Sequence, residues 1–174
     1  MLKMMLLLLV SAIAVTSCSH KYYIVRHAEK EGSAGQANAA ASDPSLSEAG
    51  KVRALVLRDE LKSKHIRYIY STNTARAIAT ATPLSKASDV KIQIYSTKDS
   101  LNEFIRQLKA LKKGNVLIVG HSNTVDDIVN QLTNATKVPA DLSESQYDNI
   151  FVITYKGKKI KFARSKYGYP SNPE

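Results

Sequence analysis

The chain has 174 residues, enough for one domain with a hydrophobic core, and its 44% hydrophobic and 23% charged residues are ordinary for a globular protein. Its net charge of +10 is compatible with nucleic acid, an anionic membrane surface or a phosphorylated substrate as partner. The lysines and arginines are dispersed and come with neither a nucleic-acid-binding motif nor an aromatic platform, so nucleic acid is not favoured.

The first 17 residues have the layout of a signal peptide, with Lys3 followed by an apolar run over residues 6–15. The run is shorter than the roughly 20 apolar residues that a membrane-spanning helix needs. Val15-Thr16-Ser17-Cys18 resembles the lipobox of bacterial lipoproteins, which implies cleavage before Cys18 and lipidation of its thiol. The alternative is a free cysteine, because a single cysteine cannot form an internal disulfide. We expect a lipid-anchored protein of the cell envelope, facing the periplasm, with residues 18–21 as tether and a mature charge of +9.

From Tyr22 onwards, strand-like and helix-like segments alternate, which predicts an α/β domain with a largely parallel sheet over residues 22–166. Pro83 predicts a kink or an early end of the second helix. The segment 167–174 is expected to be an irregular tail. The predicted strands are residues 22–25, 66–70, 90–95 and 115–120; the predicted helices start near residues 46, 75, 99 and 124 and end near 64, 85, 112 and 133; residues 150–154 and 159–163 form a closing hairpin.

Two features surround the first predicted helix. Residues 31–45 are rich in Gly, Ala, Ser and Asn without periodicity, and they form either a mobile loop over a site or a plain surface insertion. Ser45 or Ser47 is the expected N-cap, and the apolar face is predicted to hold Val52 and Val56, together with Ala49 and Leu61.

Basic residues follow the strands at the points where they end. Arg26 and His27 follow the first strand, Arg76 follows the second after a short turn, and His121 follows the most apolar strand. Because the carboxyl ends of parallel strands lie on one edge of a sheet, we expect these four side chains to share a pocket. Arginines bind phosphoryl oxygens bidentately and a neutral imidazole is a nucleophile, so the set suits phosphoryl chemistry.

Helices that begin near Ser71 and Ser122 would add N-terminal amides to this anion site. A strand-end histidine taken alone is often only a core or capping residue. A metal site built on His27 and His121 is a further alternative, but it lacks the clustered thiols or carboxylates that such sites usually add.

The same residues carry a family resemblance. Four motifs are similar, in the same order, to those of the histidine phosphatase (phosphoglycerate mutase-like) superfamily, and together they cover nearly the whole mature chain. The resemblance implies a three-layer α/β/α fold with a largely parallel central sheet. The motifs are Arg26-His27-Ala28-Glu29 for Arg-His-Gly, Leu46-Ser47-Glu48-Ala49-Gly50 for Leu-Thr-x-x-Gly, Ser71 to Arg76-Ala77 for Ser-x-x-x-x-Arg-Ala, and Gly120-His121-Ser122-Asn123 for Gly-His-x-x.

The resemblance also implies catalytic roles. His27 would be the nucleophile that forms a phosphohistidine, and His121 would complete the charged pocket and stabilise the transferring group. No cofactor and no metal are implied, because cationic side chains offset the charge that develops on the phosphoryl oxygens. The expected substrate contacts are Arg26, Arg76, Ser122 and Asn123.

The general acid is less defined. The resemblance implies a carboxylate between Arg76 and His121, and the candidates are Asp99, which we favour, and Glu103. Glu103 also completes a Ser-x-x-Glu capping box, a purely structural arrangement. Glu29 is a further expected pocket residue that shapes the site or repels anionic substrates, or else it is a surface carboxylate paired with Lys30.

The function expected from these residues is hydrolysis of a phosphorylated small molecule. The alternatives are a phosphomutase and a non-catalytic envelope protein that binds phosphorylated ligands. Because His27 lies roughly 17 Å along the first strand from its start, the pocket should open away from the membrane that holds Cys18. Soluble phosphorylated compounds are then the expected substrates.

Overall fold

The structure is a computed structural model that describes residues 19–32, 43–97 and 100–171. Several sequence-based expectations fall outside these ranges: the signal peptide at residues 1–17, the lipidation site Cys18, the centre of the predicted loop at residues 33–42, and the candidate acid Asp99. These remain predictions. In the described part of the chain, no helix combines the length and the apolar character needed to span a bilayer.

The described chain forms a central sheet with helices between its strands. The strands are β1 (Ser19–Arg26), β2 (Ile66–Thr72), β3 (Ile92–Tyr95), β4 (Asn115–Gly120), β5 (Asn149–Lys156) and β6 (Lys159–Lys166). The helices are α1 (Glu48–Leu61), α2 (Ala75–Ser88), α3 (Leu101–Ala110) and α4 (Val125–Thr133).

The strand order in the sheet is β3-β2-β4-β1-β5-β6. β1 to β4 are parallel, β5 runs antiparallel to β1, and β5 and β6 form the predicted hairpin. The largely parallel sheet is therefore confirmed. β1 and β4 lie side by side in the centre, where apolar side chains are buried on both faces, and this explains their continuous apolar sequences.

Two hydrophobic cores flank the sheet. On one face, Leu57 and Leu61 of α1 and Leu84 of α2 pack against Val25 and Val119. On the other face, α3 and α4 contribute the buried side chains Phe104, Leu108, Ile128 and Leu132, which pack against Ile24 and Ile118. The predicted three-layer α/β/α arrangement is confirmed.

Both ends of the domain are better ordered than predicted. β1 already begins at Ser19, so residues 19–21 belong to the sheet and not to a tether. His20 is buried beside the Tyr22 ring, and its Nε2 atom lies 3.0 Å from the Tyr22 hydroxyl. At the other end, Tyr167 is buried and its amide donates to the carbonyl of Asp148. The tail at 167–174 therefore starts as packed structure.

The helices correct further details. Ser47 is the N-cap of α1, since its Oγ accepts a hydrogen bond from the Gly50 amide. The buried face of α1 is centred on Arg53, Ala54 and Leu57, and the predicted core residue Val52 is 45% exposed. α2 continues through Pro83 to Ser88, because its side chains pack on the sheet before and after the proline and offset the lost hydrogen bond.

Candidate functional site

The side chains that the sequence predicted to converge do so. β2, β4 and β1 are neighbours in the sheet, and their carboxyl ends form one edge. Arg26 and His27 end β1, His121 follows β4, and Arg76 lies in the first turn of α2. The His27 and His121 ring centroids are 5.2 Å apart. The predicted pocket is thus a physical cluster, and the roles of its members remain predictions.

His27 is held in one orientation. Its Nδ1 atom lies 2.8 Å from the carbonyl oxygen of Ala28, and Arg76 Nε donates to its Nε2 atom at 3.2 Å. A carbonyl oxygen can only accept, so the proton is on Nδ1 and the lone pair is on Nε2. Burial, followed by the charges of Arg26, His121 and Arg76, lowers the pKa of His27 to about 3. The imidazole is therefore neutral at physiological pH.

His121 faces the same arginine. Its Nε2 atom lies 2.8 Å from the Thr72 hydroxyl, and its Nδ1 atom lies 3.4 Å from Arg76 Nη2. Its backbone amide donates to the hydroxyl of Thr124 at 2.9 Å, which fixes the turn after β4. Burial and the charges of Arg76 and Arg26 lower the pKa of His121 to about 4. Both histidines are thus uncharged before substrate binds.

Arg76 connects the two histidines to a carboxylate. Its Nη1 atom lies 3.1 Å from Asp43, whose other carboxylate oxygen accepts from the Ala75 amide at 2.7 Å. Asp43 therefore occupies the N-terminus of α2, where Thr74 makes no side-chain cap. An anion that binds Arg76 and the Ala75 amide competes with the Asp43 carboxylate for both donors.

Arg26 is 2% exposed and lies in a cradle formed by residues 143–147. Nη1 donates to the carbonyls of Ser143 and Glu144 at 2.7 and 3.1 Å, and Nη2 donates to the Glu144 carboxylate at 3.0 Å. The guanidinium lies 4.1 Å from the ring centroid of Tyr147. Among the described residues, Arg26 Nε has no hydrogen-bond partner, and it is buried. Sequence reasoning missed this cradle.

The cluster opens into a cavity of about 480 Å³ whose lining is polar or charged throughout. Ser122 and Asn123 line it, as predicted for substrate contacts. Lys30, Thr97 and Glu144 were not predicted, and Glu144 lies 3.9 Å from Lys30 at the rim. The lining suits a small, strongly polar anion. The described residues contain no group of three or more His, Cys, Asp or Glu side chains placed to hold a metal ion.

The structure does not bring Glu103 to the cavity. Its carboxylate accepts from Arg106 and Gln107 on the surface of α3, and Ser100 makes no side-chain cap to that helix. The capping-box interpretation is therefore wrong as well. Asp99 lies outside the described residues, but Thr97, two residues earlier, lines the cavity.

Glu29 turns away from the cavity, so its predicted contact with substrate is wrong. Its carboxylate binds the Arg53 guanidinium, with Arg53 Nη2 at 2.6 Å and Nε at 2.8 Å. Arg53 is also buried and donates to the carbonyls of Tyr167 and Tyr169 at 3.0 Å. This ion pair joins the segment after His27 to α1 and to the C-terminal residues. The sequence contained one indication of this ion pair: Arg53 lies on the face of α1 that packs on the sheet, where a charged residue needs a partner.

Comparisons with known proteins support the fold and indicate a family. Residues 22–104 match the model of the histidine phosphatase superfamily (branch 1). Phosphoserine phosphatase 1 of Hydrogenobacter thermophilus is 36% identical over 72 residues, which are 41% of this chain and only 34% of that protein. The protein histidine phosphatase SixA complexed with tungstate superposes with a TM-score of 0.62 at 17% identity, over 84% of this chain and 96% of its own. Phosphoglycerate mutase from Bacillus anthracis str. Sterne gives 0.60 at 16% identity, over 86% and 93%.

Proposed function

We propose that the chain is a member of the histidine phosphatase superfamily, whose model matches residues 22–104, and that it hydrolyses a phosphorylated small molecule through a phosphohistidine on His27. The observation that carries this proposal is the state of His27: a neutral imidazole with its proton on Nδ1 and its lone pair on Nε2, at a cavity that also contains Arg26 and Arg76. A neutral imidazole nitrogen beside two guanidinium groups suits nucleophilic attack on phosphorus.

In the first step, the phosphoryl oxygens take up donors of Arg76, which frees His27 Nε2 from its hydrogen bond. The Nε2 lone pair forms a bond to phosphorus as the bond between phosphorus and the substrate oxygen breaks. The departing oxygen takes a proton from a general acid, for which Asp99 remains the predicted residue. The proton stays on Nδ1, which keeps donating to the Ala28 carbonyl oxygen, and this hydrogen bond stabilises the positive charge that develops on the imidazole.

In the second step, a water oxygen attacks the phosphohistidine, and the nitrogen–phosphorus bond breaks. The water loses a proton to the group that served as acid, so inorganic phosphate leaves and the enzyme returns to its first state. A phosphoryl dianion in the cavity raises the proton affinity of His121, because its negative charge offsets the charges of Arg76 and Arg26 that help to lower the pKa of this histidine. A protonated His121 then stabilises the transferring group.

The test uses the full chain and a generic aryl phosphate, with His27→Asn as the variant and His65→Asn as the matched control. His65 is exposed and lies before β2, away from the cavity. We expect the first variant to lose at least about a thousandfold in kcat and the control to retain full activity. Acid-labile, base-stable radiolabel on the protein after rapid quenching would identify the phosphohistidine.

Each alternative predicts a different outcome of the same assays. Activity that survives His27→Asn contradicts the mechanism, and activity lost to a chelator indicates a metal site. Transfer of the phosphoryl group to a second position of the substrate, in preference to water, indicates a mutase. Oxyanion binding without turnover of any phosphoester indicates a binding protein.

We also propose that Cys18 is lipidated and that the mature protein is anchored in the cell envelope. The lipobox-like Val15-Thr16-Ser17-Cys18 directly precedes Ser19, where β1 begins. At high salt, which screens electrostatic contacts with the bilayer, Cys18→Ala should release the protein from membranes, whereas Ser17→Ala, which keeps Cys18, should stay bound. Equal membrane retention of both variants would contradict the anchor.

A further inference from the structure

Lysines line the edge of the sheet that lies opposite the cavity. We call this edge the amino edge, because β1 to β4 all begin there. The lysines of the amino edge are exposed to solvent, and each lies close to the start or the end of a strand. They are Lys91 before β3, Lys64 before β2, Lys112 and Lys113 before β4, Lys156 at the end of β5, Lys158 in the hairpin turn and Lys159 at the start of β6.

The sheet order turns these positions into one row. β3 and β6 are the two outer strands, and neighbouring strands lie about 4.8 Å apart, so the row is about 24 Å long. The lysines are closest together at the β5–β6 turn. The register places this group next to the start of β1, because Ser19 pairs with Lys156 and Lys156 pairs with Lys159. Each strand position from β3 to β6, apart from β1 with its half-buried Lys21, therefore presents an exposed lysine at this edge.

The acidic residues are distributed in the opposite way. The first turns of α1, α3 and α4 contain acidic residues, and these turns lie at the cavity edge. At the amino edge, the described acidic residues are Asp59, Glu60 and Asp89, and Asp59 already binds Arg58 and Lys62. Lysines near helix C-termini offset the helix dipole, and the last turn of α4 lies beside β5, where the Leu132 carbonyl accepts from the Tyr155 hydroxyl. Three exposed lysines nevertheless follow one another closely in this turn, at Lys156, Lys158 and Lys159.

From this row we infer that the amino edge docks on an anionic lipid bilayer, with the catalytic cavity facing away from it. A row of flexible ammonium groups without aromatic platforms fits the diffuse negative charge of a lipid surface better than it fits the bases of a nucleic acid. Ile160, 37% exposed between Lys159 and Lys161, adds an apolar side chain of the kind found at bilayer interfaces.

The position of Ser19 supports the same occupant. The apolar N-terminal segment of the sequence enters the domain at Ser19, beside Lys156, so a membrane-bound N-terminus brings lipid to this edge first. The far end of β1 is seven residue steps away, which is about 23 Å. Docking at the amino edge therefore leaves the cavity open to water.

The experiment uses the full chain with Cys18→Ala, so that no lipid can be attached, and measures sedimentation with phosphatidylcholine vesicles and with vesicles that also contain phosphatidylglycerol. The test variant adds Lys158→Gln and Lys159→Gln. The matched control adds Lys51→Gln and Arg106→Gln, which remove the same formal charge from exposed positions away from the amino edge. Because each lysine near an anionic surface contributes about fivefold in affinity, the test variant should bind anionic vesicles about 25-fold more weakly than its parent.

The control should bind like the parent, and both variants should hydrolyse aryl phosphate at the parental rate. Equal weakening by the test and control variants would show that only net charge matters and would overturn the docking surface. Binding of the parent that does not depend on phosphatidylglycerol would do the same. Tighter binding to duplex DNA than to anionic vesicles at equal salt would replace the lipid with a nucleic acid.

Discussion

Substitution of Glu144 by Gln is expected to tighten oxyanion binding at the site. The Glu144 carboxylate is 66% exposed at the rim, and it lies 3.0 Å from an Arg26 nitrogen that a phosphoryl oxygen also needs. In the free protein the carboxylate therefore acts as a competitor for Arg26. Gln keeps the shape of the side chain and the hydrogen bond acceptor but removes the negative charge.

The magnitude follows from charge and distance. A phosphoryl dianion on Arg26 would lie about 6 Å from the Glu144 carboxylate, and at an effective dielectric constant of about 60 the repulsion is roughly 2 kcal/mol. Part of this is already compensated by Lys30, whose Nζ atom lies 3.9 Å from the same carboxylate. We therefore expect about 1.4 kcal/mol, or a tenfold lower inhibition constant for tungstate and inorganic phosphate.

The assay is competitive inhibition of aryl phosphate hydrolysis at about 0.02 M and about 0.5 M salt, since screening should shrink the gain at an exposed site. Glu103→Gln is the control, because Glu103 makes a similar surface ion pair away from the cavity. Weaker inhibition in the Glu144 variant would refute the reasoning. Glu144 would then be needed to hold Arg26 in the binding geometry.

The remaining predictions concern stability and the packing behind His27. The lowered pKa values of His27 and His121 mean that the unfolded chain binds protons first, so the free energy of unfolding should fall as pH drops from 6.5 towards 4, by about 1.4 kcal/mol per pH unit for each histidine. Urea melts should show this, with a shallower slope for His27→Gln; an equal slope would contradict the neutral imidazole. Arg53→Gln leaves the half-buried Glu29 carboxylate unpaired and should lower the free energy of unfolding by about 3 kcal/mol, whereas Arg58→Gln, at a partly exposed position, should lower it by less than about 1 kcal/mol. Gly50→Ala should lower both the melting temperature and kcat, because a Cβ there collides with the carbonyl of Glu29. An unchanged kcat would show that the contact between Gly50 and Glu29 does not affect His27.

The sequence was sufficient to predict which residues lie at the carboxyl edge of the sheet, because strand ends are determined by local signals. Apolar runs define β1 and β4, the residue after each run is necessarily at the strand end, and parallel pairing then brings His27 and His121 together. The same reasoning placed Ser122 correctly, because it follows β4 directly. No detail of side-chain packing was needed for these conclusions.

Other parts of the site depend on contacts between distant segments. The cradle around Arg26 comes from Glu144 and Tyr147, well over a hundred residues further along the chain, in a segment without periodicity. Arg53 was overlooked because helix faces are assigned by apolar residues, and a buried guanidinium with a carboxylate partner satisfies the same face. Long-range ion pairs of this kind leave no periodic signal in the sequence.

Which nitrogen of His27 has the proton depends on the segment that follows it. The oxygen that accepts from Nδ1 belongs to Ala28, whose amide donates to Thr80 of α2 at 2.9 Å. The next carbonyl, of Glu29, accepts from the Ser47 amide at 3.0 Å and lies against Gly50, while the Glu29 carboxylate binds Arg53. α1 and α2 thus hold the peptide whose carbonyl keeps the proton on Nδ1 and leaves the lone pair on Nε2, the proposed nucleophilic nitrogen. The glycine of the Leu-Ser-Glu-Ala-Gly motif, Gly50, therefore supports the proposed nucleophile from a distance, because only a residue without a Cβ allows α1 to approach the Glu29 backbone this closely.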